Sequence, residues 1–155
     1  MRERHDELGL NMIKIGRRRG IESRSLLDAY YVDKDKSMSE RDTSLIKDGL
    51  FNMQQSIELI MKGIIKYYGE EYVIGHTTAQ NADIIDNLSY EHQELRELND
   101  IYPFLKDLRF SNEMDAIEKR CRYLPYRVIP SIVRDGQQVR DRLIRYVDKQ
   151  FEEQL

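Results

Sequence analysis

The sequence is poor in the residues on which several specialised folds depend. Its 155 residues include one cysteine, three prolines, eight glycines and no tryptophan. A single cysteine, Cys121, excludes an internal disulfide and a cysteine-based metal cluster. No apolar stretch reaches the roughly 18 residues that a membrane-spanning helix requires, and the first twenty residues lack the apolar core of a secretory signal. We therefore predict a cytoplasmic protein without a membrane segment.

Charged residues are numerous but nearly balanced in sign. Lysine and arginine number 25, aspartate and glutamate 28, and the formal net charge is −3. The chain as a whole therefore has no basic character of the kind that attracts nucleic acid, although local clusters remain candidates. A hydrophobic fraction of 40% with a charged fraction of 34% is typical of one folded, soluble, helical domain.

The clearest periodic segment runs from about Ser44 to Tyr68. Apolar residues recur there at alternating spacings of four and three, which places them on one face of a helix: Ile46, Leu50, Met53, Ile57, Ile60, Ile64 and Tyr67. Asp42, Thr43 or Ser44 can cap the start of this helix, and Gly69 can end it in the left-handed conformation. We predict a long helix here.

The rest of the chain also has helical spacing. We predict helices from Ser23 to about Lys36, after Gly75, around Leu95 to Leu105 with a restart at Pro103, in a short piece after residue 111, and from Ser131 to Phe151. The first twenty residues form a short helix or an extension, with "RRRG" at 17–20 fraying into a linker. The prediction is an all-α, antiparallel up-and-down bundle of four to five main helices, with residues 1–20 as an N-terminal extension and 21–155 as the bundle domain.

Several common catalytic and metal-binding motifs are missing. The three histidines are far apart in sequence, and no HExxH or CxxC spacing occurs. There is no Walker A loop, no GxGxxG after a strand and no GxSxG. A lone cysteine in a helical bundle is more often inert than nucleophilic. We therefore predict no metal and no cofactor.

One segment nevertheless has a pattern of a known family. "FNMQQSIELIMKGIIKYYG", followed by a histidine and the apolar spacing of "ADIIDNL", resembles the HEPN domain family. The resemblance rests on Phe51, Gln54, Gln55, Glu58, Lys62, Gly69, His76, Ile84, Ile85 and Leu88. "KRCRYLPY", ahead of the last helix, is similar to the family's late arginine–tyrosine segment, and "LRF" at 108–110 is a rival match for it.

The resemblance implies an up-and-down helical bundle, commonly a homodimer, in small prokaryotic cytoplasmic proteins associated with minimal nucleotidyltransferases or toxin–antitoxin pairs. Some members are metal-independent ribonucleases that use an arginine and, after four to six residues, a histidine. The histidine serves as general acid or base, and the arginine stabilises phosphate charge. This chain lacks the spacing, because Gly69, Glu70 and Glu71 occupy the corresponding positions before His76. The absence of this arginine–histidine motif therefore favours a non-enzymatic role.

Candidate binding residues come from two segments. Glu58 and Lys62 form an i,i+4 pair in the favourable order. It is either a solvated pair or places Lys62 near a nucleotide phosphate or a partner carboxylate, and Lys66 continues that face. His76 either hydrogen-bonds at the end of the bundle or contacts a ligand. The segment 120–127 mixes arginine and tyrosine, as in an RNA-stacking surface or a dimer rim. The candidate ligand-binding residues are Lys62, Lys66, His76, Arg122, Tyr123 and Arg127.

The last predicted helix carries Arg134, Arg140, Arg142 and Arg145 among aspartates, which is typical of a solvated face laced with salt bridges. Taken together, the sequence predicts a non-catalytic HEPN-like domain. We expect it to dimerise and to bind a nucleotide, RNA or a protein partner such as a nucleotidyltransferase, in a toxin–antitoxin or defence system. The alternatives are a HEPN-type ribonuclease with a rearranged active site and a purely structural dimerisation module.

Overall fold

A computed structural model describes residues 2–32, 35–37, 40–75, 77–123 and 129–155, and the side chains of these residues except 2–4, 122 and 123. This part of the chain consists of helices and turns without a strand, so the all-α prediction is confirmed. The α-helices are α1 (Arg2–Val32), α2 (Thr43–Tyr67), α3 (Thr78–Leu88), α4 (Tyr102–Lys106), α5 (Leu108–Asp115), α6 (Ile117–Tyr123) and α7 (Pro130–Gln150). Short 3-10 helices span Gln93–Leu98 and Glu152–Gln154.

Helix α2 forms where the sequence predicts it. The Asp42 side chain accepts a hydrogen bond from the backbone N–H of Ser44 at 3.0 Å, which satisfies a free donor at the first turn. After the helix, Gly69 has φ +83°, a conformation that residues with a Cβ rarely adopt. The predicted apolar row is buried, apart from the half-buried Tyr67 at its end. The apolar period, the cap at Asp42 and the turn at Gly69 therefore all agree with the predicted helix.

Helix α1 is longer than predicted. It continues without a break through positions 17–20, where we expected a linker, and through Ser23, where we expected a helix to begin. Gly9, Gly16 and Gly20 share the face that meets α2. Glycine lowers helix propensity by about 1 kcal/mol per residue relative to alanine, but here it lets two helix backbones approach closely. Tertiary packing therefore overrides the local preference that predicted fraying.

Three long helices set the frame of the bundle. Contacts pair Gly9 with Gly63 and Gly49 with Leu27, so α1 and α2 are antiparallel. Arg17 reaches Asp148, and Ser23 accepts a hydrogen bond from Arg140, so α1 and α7 are antiparallel as well. Helices α2 and α7 consequently run parallel, and α3 to α6 cover the remaining sides. No helix in the described ranges is long and apolar enough to cross a membrane.

Helix α7 confirms one prediction and corrects another. Its predicted apolar residues are buried, and a Cβ on Gly136 would lie 2.8 Å from the terminal methyl groups of Met53 and Met114. Arg140, however, does not belong to a solvated face, because it is 1% exposed. Its Nη1 donates to Ser23 Oγ at 2.9 Å and its Nε to Asp141 at 3.0 Å. The partner that allows this burial is on α1, far away in sequence.

Candidate functional site at the carboxyl end of helix α2

Two neighbouring features occupy the last turns of α2 and the segments around them. The first, which we call the Lys62 network, comprises Glu58, Lys62, Tyr72 and Gly75. The second, which we call the aromatic cleft, lies where the carboxyl end of α2 meets the amino end of α1 and the carboxyl end of α7. It is lined by Asp6, Tyr67, Tyr68, His92, Glu94, Gln150 and Phe151.

Lys62 is the buried member of its network, whose Gly75 is exposed, whereas a solvated pair was the simpler expectation. Lys62 is only 8% exposed. Its Nζ donates to Glu58 Oε1 at 2.5 Å and to the Gly75 carbonyl at 2.9 Å, and lies 5.4 Å from the centre of the Tyr72 ring. Gln54 donates to the second oxygen of Glu58 at 2.7 Å. Carboxylate, carbonyl and aromatic face together replace the water that the ammonium group loses on burial.

Residues 69–75 form a loop that is fixed at several points. Gly69 and Gly75 both have positive φ, which gives the chain its two sharp changes of direction. The Asn81 side chain accepts from the backbone N–H of Val73 at 2.9 Å. The next helix is fixed as well, since Asp115 accepts from both the N–H and the hydroxyl of Thr78. Lys62 binds this loop from the α2 side, so its position is part of the loop's architecture.

Aromatic rings form the walls of the cleft, which has a volume of about 300 Å³. The Tyr67 ring is nearly perpendicular to that of Tyr68, at 5.2 Å between centres, and to that of Phe151, at 5.0 Å. His92 lies against Tyr68 with ring centres 4.1 Å apart. Such edge-to-face pairs are favoured because the ring edge is positive and the ring face negative. The Tyr67 ring, which is nearly perpendicular to the rings of both Tyr68 and Phe151, therefore forms a rigid corner with them.

Glu94 gives the cleft its charge. The Tyr68 hydroxyl donates to Glu94 Oε1 at 2.5 Å. Partial burial opposes ionisation of Glu94, but the Tyr68 hydrogen bond, a backbone N–H and the nearby His92 together hold the pKa of Glu94 below its usual value. Burial, then Tyr146 and the hydrogen bond to Glu94, raise the pKa of Tyr68. At neutral pH the pair is therefore a carboxylate and a neutral phenol.

Helix α7 positions both sides of the cleft. Arg142 donates to Asp100 at 2.9 Å and Lys149 to Glu97 at 2.6 Å, which holds the 3-10 helix carrying Glu94 against α7. The Tyr146 hydroxyl behind the cleft is buried without a hydrogen-bond partner of acceptable geometry among the described residues. It still lies close enough to Tyr68 to raise the pKa of that phenol. Burial raises the pKa of Tyr146 itself, and the contact with Tyr68 partly opposes that rise.

The predicted binding residues do not form one cluster. Lys62 is buried in its network, and Lys66 approaches only the exposed Glu71, at 3.4 Å. Arg122 and Tyr123 belong to α6, whose Cys121 lies near Lys47. Because Lys47 and Lys62 are about 22 Å apart along α2, at 1.5 Å per residue, the α6 segment and Lys62 occupy different ends of that helix. His76 and Arg127, together with the side chains of Arg122 and Tyr123, lie outside the described residues.

Sequence reasoning missed the residues of the aromatic cleft and used Tyr67 only as the end of an apolar row, although Tyr67 and Tyr68 form a run of two tyrosines. That run directly before Gly69 was a usable signal, since a helix end with two aromatic residues is well placed to form a wall. His92 and Glu94 precede a predicted helix without any motif. Asp6 carried no signal, because the other residues that line the cleft are all distant from it in sequence.

The described residues give no support for a metal site or for a reactive thiol. No group of three His, Cys, Asp or Glu side chains among the described residues is arranged to hold a metal ion. Cys121 is buried, and burial raises the pKa of its thiol to about 11. Because the thiolate is the nucleophilic form, this cysteine is a poor nucleophile at neutral pH.

The chain was compared with protein-family models, with curated proteins and with solved structures, and none of the three comparisons finds a match.

Proposed function

We propose that this chain is a non-catalytic, HEPN-like helical module whose function is to bind a protein, either a second copy of itself or a partner such as a nucleotidyltransferase. The role in a toxin–antitoxin or defence system that the resemblance implies belongs to the same proposal. The observation that carries it is the state of the polar residues in the family-like segment. The described ones make internal contacts: Gln54, Gln55, Glu58 and Lys62.

Lys62 is the central case. Two of its ammonium hydrogens are directed at Glu58 and the Gly75 carbonyl, and its charge faces the Tyr72 ring. A phosphate could bind Lys62 only if these contacts were given up and the paired Glu58 carboxylate were overcome. Lys62 is therefore a structural residue in this proposal. This favours protein binding over nucleotide binding by that helix face.

An exposed apolar stripe on α1 supplies a docking surface. Leu8 and Ile15 are 46% and 38% exposed. They are seven residues apart, with the half-buried Met12 between them, so the three lie on one side of the helix. Other faces of α1 pack against α2 and α7. A spacing of three to four residues is the one that helix-to-helix docking uses.

Association should be measured by sedimentation velocity for the protein alone and by co-purification with a nucleotidyltransferase encoded beside it. We expect a dimer or a stable complex, and loss of that association when Leu8→Asp and Ile15→Asp are combined. Val32→Asp is the matched control, because Val32 is exposed on the same helix but lies away from the stripe. Association that survives the double substitution would overturn this docking surface. A monomer that binds no partner, or that cleaves RNA in the presence of a chelator, would overturn the function.

A further inference from the structure

We propose that the aromatic cleft binds an organic ammonium group, either on a free amine or on a lysine side chain of another protein. This site is distinct from the apolar stripe on α1, and the proposal does not depend on the function proposed above. It rests on the chemistry of the cleft lining, on the geometry of its rings and on its size.

The rings provide the surface that a cation prefers. Tyr67 stands at 90° to Tyr68 and at 85° to Phe151, with centre-to-centre distances of 5.2 and 5.0 Å. The negative faces of the rings therefore point in different directions around one corner. A cation that binds against an open face of one of these rings gains the cation–π attraction that is used to recognise quaternary and methylated ammonium groups. The corner is preformed, so binding requires little ordering of side chains.

The polar groups in the lining are mostly acceptors. Asp6 and Glu94 are carboxylates, and Tyr68 uses only one of the several lone-pair positions of Glu94. The Gln150 amide directs its nitrogen at Glu97, which leaves its carbonyl oxygen as an acceptor. No lysine or arginine belongs to the described lining of the cleft. Two carboxylates without a lysine or arginine in the lining repel phosphates and attract ammonium groups.

The size of the cavity limits the ligand. A volume of about 300 Å³ is at the lower end of the range for small-molecule sites. It accommodates an ammonium headgroup with a few carbons, such as choline or the end of a lysine side chain. A nucleotide with its phosphates would have to extend out of the cleft past the carboxylates.

The test compares a cation with a neutral molecule of the same shape. Choline and its uncharged analogue 3,3-dimethylbutanol are titrated into the full chain at pH 8, and tyrosine ring signals are followed by NMR. We expect choline to bind with a dissociation constant on the order of millimolar, and the alcohol at least about tenfold more weakly. N-acetyl-lysine amide is the third arm. Stronger binding of choline indicates that the ligand is a small free ammonium compound. Stronger binding of the lysine compound indicates that the ligand is a side chain of another protein.

Substitutions locate the site. Glu94→Gln keeps the shape and removes the charge, and Tyr67→Leu removes one wall of the corner. Each should raise the dissociation constant of the better-binding cation about fivefold or more. Glu153→Gln, which removes the same charge from an exposed position outside the cleft, should leave it unchanged. Thermal unfolding of each variant confirms that it is folded. The proposal is overturned if neither cation binds, if the alcohol binds as well as choline, or if Glu94→Gln has no effect.

Discussion

Two long cationic side chains are buried among the residues that the structure describes, and each is held by a partner from another segment of the chain. Lys62 binds the carbonyl of Gly75 in the loop after α2, and Arg140 on α7 binds Ser23 on α1. Burying such a charge is unfavourable unless hydrogen bonds and counter-charges replace the lost water. Lys62 therefore fixes the loop after α2 against that helix, and Arg140 fixes α7 against α1.

Substituting Lys62 tests whether the residue is structural. Lys62→Met keeps the apolar stem but leaves the Gly75 carbonyl without its donor and removes the ion pair with Glu58. We expect the free energy of unfolding to fall by about 1–3 kcal/mol, and hydrogen exchange in residues 69–75 to accelerate. Lys66→Met should cost less than about 0.5 kcal/mol, because the ion pair that Lys66 makes within the described ranges is with the exposed Glu71. Equal effects of the two substitutions in urea unfolding would contradict the network.

Arg140 gives a second, independent prediction. Arg140→Ala removes packing and leaves the buried Ser23 hydroxyl without its donor. We expect a loss of about 2–4 kcal/mol, measured by urea denaturation followed by circular dichroism. Arg145→Ala, one turn further along on an exposed position, should change stability by less than about 0.5 kcal/mol. If the two substitutions behaved alike, Arg140 would be part of a solvated face as the sequence predicts.

Residue type alone could not predict these roles. Arginine and lysine on a charged helix face are usually solvated, and the local sequence around Arg140 contains the aspartates that a solvated face would have. The deciding contacts come from Ser23 and Gly75, and no local spacing specifies them. The sequence did identify Lys62 and Glu58 as a pair, because their i,i+4 spacing is local.

At the scale of elements, the closest contact is between α1 and α2. A Cβ on Gly9 would overlap the backbone of Tyr67 and would lie 2.6 Å from the Gly63 carbonyl oxygen. A Cβ on Gly63 would lie 2.8 Å from the Gly9 carbonyl oxygen. Backbone atoms cannot move aside as side-chain tips can, so neither position tolerates a larger residue without separating the helices.

The three glycines of α1 should therefore differ in their tolerance of alanine. At Gly9 the neighbours are backbone atoms, and Gly9→Ala should destabilise by about 2–4 kcal/mol despite the gain in helix propensity. At Gly20 the nearest atoms are Ser56 Oγ at 2.5 Å and a terminal methyl of Ile144 at 2.7 Å, which can rotate away. Gly20→Ala should cost no more than about 1 kcal/mol. The reverse order in urea unfolding would contradict the packing described for α1 and α2.

Helices α2 and α7 could be predicted because their apolar residues follow a regular helical period that burial then confirms. The amino-terminal half of α1 could not, since glycines make up most of its buried face and Ile13 adds a large apolar residue at one position only. Gly9, Gly16 and Gly20 are spaced by seven and four residues, which puts them on one helix face. That spacing was the available signal, and it was obscured by the low helix propensity of glycine.

At the scale of the whole molecule, the amino-terminal segment and the candidate site belong together. Ile13 is fully buried, and residues 9–20 pack along the carboxyl-terminal half of α2. The aromatic cleft needs side chains from α1, from the end of α2, from the segment before the first 3-10 helix and from the end of α7. Because these positions span nearly the whole chain, helix prediction element by element could not bring them together. Only the packed bundle defines the cleft.

A shortened protein tests whether residues 1–20 are an extension or part of the core. Deleting residues 2–20 removes Ile13 from the core and exposes the face of α2 around Ile60 and Gly63. Burial of each large aliphatic side chain contributes about 1.5–3 kcal/mol, and domains of this size have a total stability of roughly 5–15 kcal/mol. We therefore expect the shortened protein to lose cooperative urea unfolding. Removal of residues 152–155, which are exposed, should leave a cooperative transition within about 1 kcal/mol of the full chain. A stable, cooperative protein lacking residues 2–20 would instead support the extension that the sequence predicts.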